Sequence, residues 1–215
     1  MITNLIGFNI VLKNNTIDPS DPGLELDKIR RILMQQYSSN KPVITHFPEM
    51  YVIFFPVEQV TFVIQQKTVI LTDNSGKSSE EQIEAISSLI IKIINLLPNK
   101  TTAFGYNYIT ECEFEKKDNG MFLNLINADS IKTLGLSKGT ILPSPIKITS
   151  QEKKGSSITI SIIPRLSVGE KKDKYFHFEY NYHFDKSRLP SINKMVEDIS
   201  SLKKEKELLL DNFDK

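Results

Sequence analysis

The stretch Thr101–Glu115, TTAFGYNYITECEFE, alternates along its whole length, and that alternation constrains the fold more than any other feature of the chain. Phe104, Tyr106, Tyr108, Thr110, Cys112 and Phe114 fall on one face, with Ala103, Gly105, Asn107, Ile109, Glu111 and Glu113 on the other. A period of two predicts a β-strand with one aromatic face and one small or polar face. Tyr175–Asp185 has the same character: Phe176, Phe178, Tyr180, Tyr182 and Phe184 alternate with Tyr175, His177, Glu179, Asn181 and His183. Two strands of this kind, well separated in sequence, require a sheet whose aromatic face is covered.

The intervening elements fall into a repeated order. Ile2–Leu12 predicts a first strand, closed by Asn14-Asn15 and the Asp18–Gly23 turn cluster. From Leu24 to Tyr37 the apolar residues Leu26, Ile29, Ile32, Leu33 and Tyr37 recur at helical spacing, and Ser38–Pro42 ends that helix. Tyr51–Phe55, Val60–Gln65 and Thr68–Leu71 are apolar runs separated by links too short for helical crossovers, so neighbouring strands must run antiparallel. Ser78 and Ser79, each followed three residues later by Glu81 and Gln82, predict a capped helix that carries Ile83, Ile86, Ile90, Ile93, Ile94 and Leu97 to Pro98-Asn99.

A second round begins at Thr101. The long strand is followed by Met121–Leu136, read as a helix or as a hairpin turning at Asp118-Asn119-Gly120, then by strand-like runs at Ile141–Ser150, Ser157–Pro164 and Tyr175–Asp185 and a helix over Arg188–Phe213. Each round reads strand, helix, three strands, helix. The expectation is one α+β domain over residues 1–215, pseudo-duplicated as halves 1–99 and 100–215, with a mainly antiparallel sheet and helices on one face.

Composition narrows the functional classes. Lys plus Arg number 27 against 26 Asp plus Glu, a formal charge of +1 that supplies no global field for nucleic acid or an anionic membrane. The single cysteine, Cys112, excludes an internal disulfide framework, and there is no Cys/His cluster of zinc-ligand spacing. The N-terminal segment has no basic region before its apolar run, and no apolar stretch is long enough to span a bilayer, so a cytoplasmic protein without membrane contact is expected.

Several residues invite chemistry and are explained first by structure. His177, Glu179 and His183 share one strand face, with nearest members about 7 Å apart, close enough for a histidine and a carboxylate to share a metal. No further ligands can be named, so no metal or other cofactor is assigned. Gly76-Lys77-Ser78 before a helix resembles a phosphate loop, but Leu71 stands where a Walker glycine is needed. Glu111 and Glu113 would raise the thiol pKa of Cys112, against a nucleophilic role. His46, in the segment before Pro48, is read as an isolated loop residue. Tyr106, Tyr108, Tyr180 and Tyr182 are strand aromatics that pack under helices, or else line a small-molecule cleft.

The run Gly105-Tyr106-Asn107-Tyr108-Ile109-Thr110 resembles the Gly-Leu-Arg-Tyr-Ile-Asn stretch of a sporadically distributed family of uncharacterised prokaryotic proteins. Gly105, Tyr108 and Ile109 match, whereas Asn107 replaces an arginine and Thr110 an asparagine. In that family too a strand-rich half and a helix precede the motif, and a long helix closes the chain. Its function is unknown, so the resemblance implies a layout and no activity.

Three readings follow. The first is a non-enzymatic binding or interaction protein, self-associating through its sheet face or through the helix end at Leu208–Leu210 and Phe213. The second is a small-molecule-binding protein or enzyme, with a cleft near Tyr106, Tyr108 and the strand 175–185. The third, nucleic-acid binding over an open sheet face that carries His177, Glu179, Asn181, His183, Thr159, Ser161, Lys147, Thr61 and Gln65, is disfavoured by the neutral charge balance.

Overall fold

Links of a few residues between apolar runs leave the chain little choice but to fold back on itself, and antiparallel pairing dominates the result. The computed structural model describes residues 2–37, 41–76, 79–97, 102–113, 146–152, 156–164, 175–184 and 191–213. They form strands β1 (Ile2–Lys13), β2 (Val43–Phe47), β3 (Met50–Phe55), β4 (Val60–Gln65), β5 (Thr68–Asp73), β6 (Ala103–Glu113), β7 (Ile146–Glu152), β8 (Ser156–Pro164) and β9 (Tyr175–Phe184). The described helices are α1 (Leu26–Gln36), α2 (Glu80–Ile94) and α3 (Ile192–Phe213).

All nine strands lie in one sheet, in the order β2-β3-β4-β5-β1-β6-β9-β8-β7, and every pair is antiparallel. The chain is therefore α+β with an antiparallel sheet. The first and sixth strands meet at the centre, from Ile2↔Glu113 to Lys13↔Ala103. Outward from that seam the pairing runs β1–β5–β4–β3–β2 on one side and β6–β9–β8–β7 on the other.

One face of the sheet is the core. Phe8, Ile10 and Leu12 of β1 stand beside Tyr108, Tyr106 and Phe104 of β6, and beside Asp73, Leu71 and Val69 of β5. Tyr51, Ile53 and Phe55 of β3 and Val60, Phe62 and Ile64 of β4 continue the buried layer outward. The helices cover this face. Ile83, Ile86, Leu89, Ile90 and Ile93 of α2 belong to the same buried cluster, as do Ile29 and Leu33 of α1 and Met195 and Ile199 of α3. Helix α2 starts on the expected capping box: the Ser79 hydroxyl accepts from the Gln82 backbone N–H at 3.3 Å, and the Gln82 side chain accepts from the Ser79 N–H at 3.0 Å.

Two sequence readings need correction. His46 is not a loop residue; it lies in β2, its ring edge-on to that of Tyr51 at 5.4 Å. The first half accordingly carries four strands after α1, not three. Pro42 and Pro48 bracket only five residues, two of them Thr45 and His46, so the local pattern reads as a break, and pairing with the strongly apolar β3 overrides it. The segment 121–136, read as helix or hairpin, lies outside the described residues. No described helix is long and apolar enough to cross a membrane.

Candidate functional site: the open face of the sheet

With the described helices on one side, side chains that alternate with the core residues project from the other. Backbone register sets them in rows across the strands. The central row runs Phe54, Thr61, Thr72, Asn9, Asn107, Asn181, Thr159, Thr149 from β3 to β7. At the seam the Asn107 Nδ2 donates to Asn9 Oδ1 at 2.6 Å, joining the two halves by a side-chain amide pair. Asn107 Oδ1 is buried and has no partner among the described residues. Further out, the Thr149 and Thr159 hydroxyls share a hydrogen bond of 3.1 Å.

The next row changes character half way. Val52, Val63, Ile70 and Val11 lie side by side on β3, β4, β5 and β1; past the seam the positions are Gly105, His183, Ser157 and Gln151. The four aliphatic residues are only half-buried. At the rim, Val43 and Phe47 of β2 are 55% and 53% exposed. This row of the open face is thus aliphatic over the first half and small or polar over the second, whereas the central row is mainly polar throughout. Gly105 suits the seam, because a Cβ there would come within 3.0 Å of the Tyr182 carbonyl oxygen.

The residues singled out from the sequence separate onto the two faces. Tyr106 and Tyr108 are in the core at 1% and 0% exposure. The Tyr108 hydroxyl donates to the Ile199 carbonyl of α3 at 2.9 Å, which ties helix to sheet. The Tyr106 hydroxyl is buried without a hydrogen-bond partner among the described residues, and burial, then the Asp198 carboxylate, pushes its pKa up. It stays a neutral phenol. Glu179 and His183 are half-buried on the opposite side, in register with Ile109 and Gly105. His177 is placed by backbone register opposite Glu111. Along one strand His177 and His183 are about 20 Å apart, so one ion does not bridge both. No group of three His, Cys, Asp or Glu able to hold a metal occurs among the described residues.

A cleft of about 550 Å³ lies elsewhere, between the end of α1, the β3–β4 turn and the start of α2, with Tyr37, Glu58, Val60, Asp73, Ser75 and Gln82 in its wall. Burial raises the Tyr37 pKa, and the Asp73 and Glu58 carboxylates raise it further. Asp73 is itself occupied, its Oδ1 accepting the Ser75 N–H at 2.7 Å in the turn before α2. The cleft lies on the helical side of the sheet, away from Glu179 and His183.

What sequence reading missed is the apolar row and the strand at its rim. The signal was present in Met50–Phe55, MYVIFF, which is apolar on both faces rather than alternating. Only one of those faces is buried in the structure: Tyr51, Ile53 and Phe55 are in the core, while Met50, Val52 and Phe54 are half-buried.

No family model matches the chain, and no curated protein does. Among solved structures it is similar to Methanococcus jannaschii TBP, with a TM-score of 0.35 and 11% identity over 95% of this chain and 99% of that one. At that TM-score the likeness says nothing about what this chain binds.

Proposed function

We propose that this chain is a non-enzymatic binding protein whose working surface is the open face of the sheet, and that its partner there is a protein. The observation that carries this reading is the row Val52, Val63, Ile70 and Val11 on a face that no described helix covers. Aliphatic side chains aligned over four strands cost free energy in water, roughly 25 cal/mol for each Å² left uncovered. They are explained by a partner that removes them from water. The charged residues that strand register sets on this face, Lys13, Lys147, Glu111, Glu113 and Glu179, are of mixed sign with acids in the majority, which suits a protein surface better than a phosphate backbone.

A second reading rests on the central row. Thr72, Asn9, Asn107, Asn181 and Thr159 present amides and hydroxyls in line, and such groups can read the acceptor pattern of a minor groove. The same reading of the molecule takes halves 1–99 and 100–215 as two copies of one unit. Support comes from the parallel orders β1–β5–β4–β3 and β6–β9–β8–β7 either side of the seam, β2 having no counterpart among the described residues, and from Asn9 and Asn107 standing opposite each other.

Comparative capture tests the first reading. Val63→Lys should abolish retention of a specific protein partner, while Lys28→Glu on the helical side leaves it unchanged. Equal retention by Val63→Lys and the unaltered chain would overturn the proposal. Fluorescence anisotropy with a labelled duplex addresses the second: binding that is lost in an Asn9→Ala/Asn107→Ala variant and falls with rising salt would favour nucleic acid.

A further inference from the structure

Strand β2 ends the sheet among the described residues, and its sequence, Val43-Ile44-Thr45-His46-Phe47, contains neither Lys, Glu, Asp nor Pro. Edge strands in soluble proteins are ordinarily protected by a charge, a proline or a bulge, because their free N–H and C=O groups template another strand. This edge has no such device within its length, and Val43, Ile44 and Phe47 are each at least 40% exposed.

The hairpin determines which amides are free. β2 and β3 are joined by the two residues Pro48 and Glu49, so Phe47 and Met50 form the first pair of the ladder. In a two-residue hairpin that closing pair is the hydrogen-bonded one, and pairs alternate from there. Phe47, Thr45 and Val43 therefore direct their backbone groups inward to β3. Ile44 and His46 direct theirs to the free edge.

We propose that the occupant of this edge is a second copy of the chain, paired antiparallel through β2 about a two-fold axis at Thr45. In that register Ile44 meets His46 of the second copy, so free backbone groups meet free backbone groups and exchange reciprocal hydrogen bonds on both sides of the axis. Val43 meets Phe47 of the second copy on the open face, a β-branched residue against an aromatic, and Thr45 meets Thr45 of the second copy. Each of these pairs is self-complementary, and none sets like charges together. The two sheets then become one, and the row Val11, Ile70, Val63, Val52 and Thr45 of each copy runs on across the new seam into the same row of the other.

A five-residue strand pair gives a small interface, so the association is weak, with a dissociation constant of about 10–100 µM. Sedimentation velocity on the full chain, from about 5 to 500 µM, should show monomer giving way to dimer over that range. Ile44→Pro removes an N–H that faces the edge and leaves the β2–β3 ladder intact, so it should stay monomeric throughout with an unchanged melting temperature. Val43→Lys and Phe47→Glu test the register. Each should be monomeric alone, and an equimolar mixture should dimerise, because the only altered pair across the axis is then Lys with Glu while the other remains Val with Phe.

The proposal is overturned if the unaltered chain is monomeric at about 500 µM, a concentration above the dissociation constant of such an interface. It is equally overturned if Ile44→Pro associates as the unaltered chain does, or if the Val43→Lys and Phe47→Glu mixture stays monomeric. Val63→Lys, which lies on the face and not on the edge, should dimerise normally, so failure of this inference and failure of the face-binding proposal are separable.

Discussion

Gly7 sits where β1 changes register against β6, between the pairs Leu5↔Thr110 and Gly7↔Ile109. A Cβ built at Gly7 would fall on the Asp73 carbonyl oxygen, a backbone atom that cannot rotate away. Gly7→Ala should therefore destabilise the fold by about 1–3 kcal/mol, the usual cost of overpacking, seen as a lower urea midpoint. An unchanged midpoint would show that the strand junction gives way freely. The buried phenols make a second expectation. Desolvation raises the pKa of Tyr37 and Tyr106 in the folded chain, so both contribute stability that is fully present below the unfolded tyrosine value of about 10. That contribution is lost as pH rises above about 10 towards the folded values. In an alkaline absorbance titration of the seven tyrosines, these two should ionise only together with loss of near-ultraviolet circular dichroism. Ionisation of all seven while the fold persists would contradict the burial.

Helix α2 shows how far an element is determined by its own residues. Ser79 and Gln82 make a reciprocal cap, so Ser79→Ala should cost about 0.5–2 kcal/mol in urea unfolding, and Gln82→Ala should add little once the serine is gone. Full additivity of the two losses would refute the box. That cap was legible from the sequence because all its parts lie within one helical turn, and the aromatic alternation of β6 and β9 was legible for the same local reason. Strand β2 was not. Its existence depends on β3, which lends it hydrogen bonds that a five-residue segment between prolines does not advertise. The rows of the open face were hidden more deeply. Alternation assigns Asn9 and Asn107 each to a face of its own strand, but their meeting across the seam, 98 residues apart in the chain, is a matter of strand order. Amide exchange gives β2 an element-scale test of its own: protection at Ile44 and His46 should rise with protein concentration, whereas Val43, Thr45 and Phe47 should be protected at every concentration by β3. Concentration-independent exchange at Ile44 and His46 would remove the edge pairing.

At the scale of the whole molecule, the near-balance of charge decides how its associations respond to salt. The formal charge is +1 and the isoelectric point about 7.7, so two copies approaching near neutral pH meet almost no mutual repulsion. The proposed β2 contact is itself uncharged. Raising the salt from about 0.1 to 1 M shortens the Debye length from about 10 to 3 Å, and the dimerisation constant of the unaltered chain should change by less than about twofold. The mixture of Val43→Lys and Phe47→Glu has an exposed ion pair in its place, worth about 0.2–1 kcal/mol, and should weaken by up to about fivefold over the same range. Nucleic acid on the open face would behave differently again, its affinity falling by orders of magnitude as counterions compete for the phosphates. One salt series read by sedimentation and by anisotropy therefore separates the three: a flat response belongs to the strand edge, a shallow loss to the engineered pair, and a steep loss to a phosphate backbone. A steep salt dependence for the unaltered dimer would mean that charged residues outside β2 hold it together, and the register drawn through Thr45 would have to be abandoned.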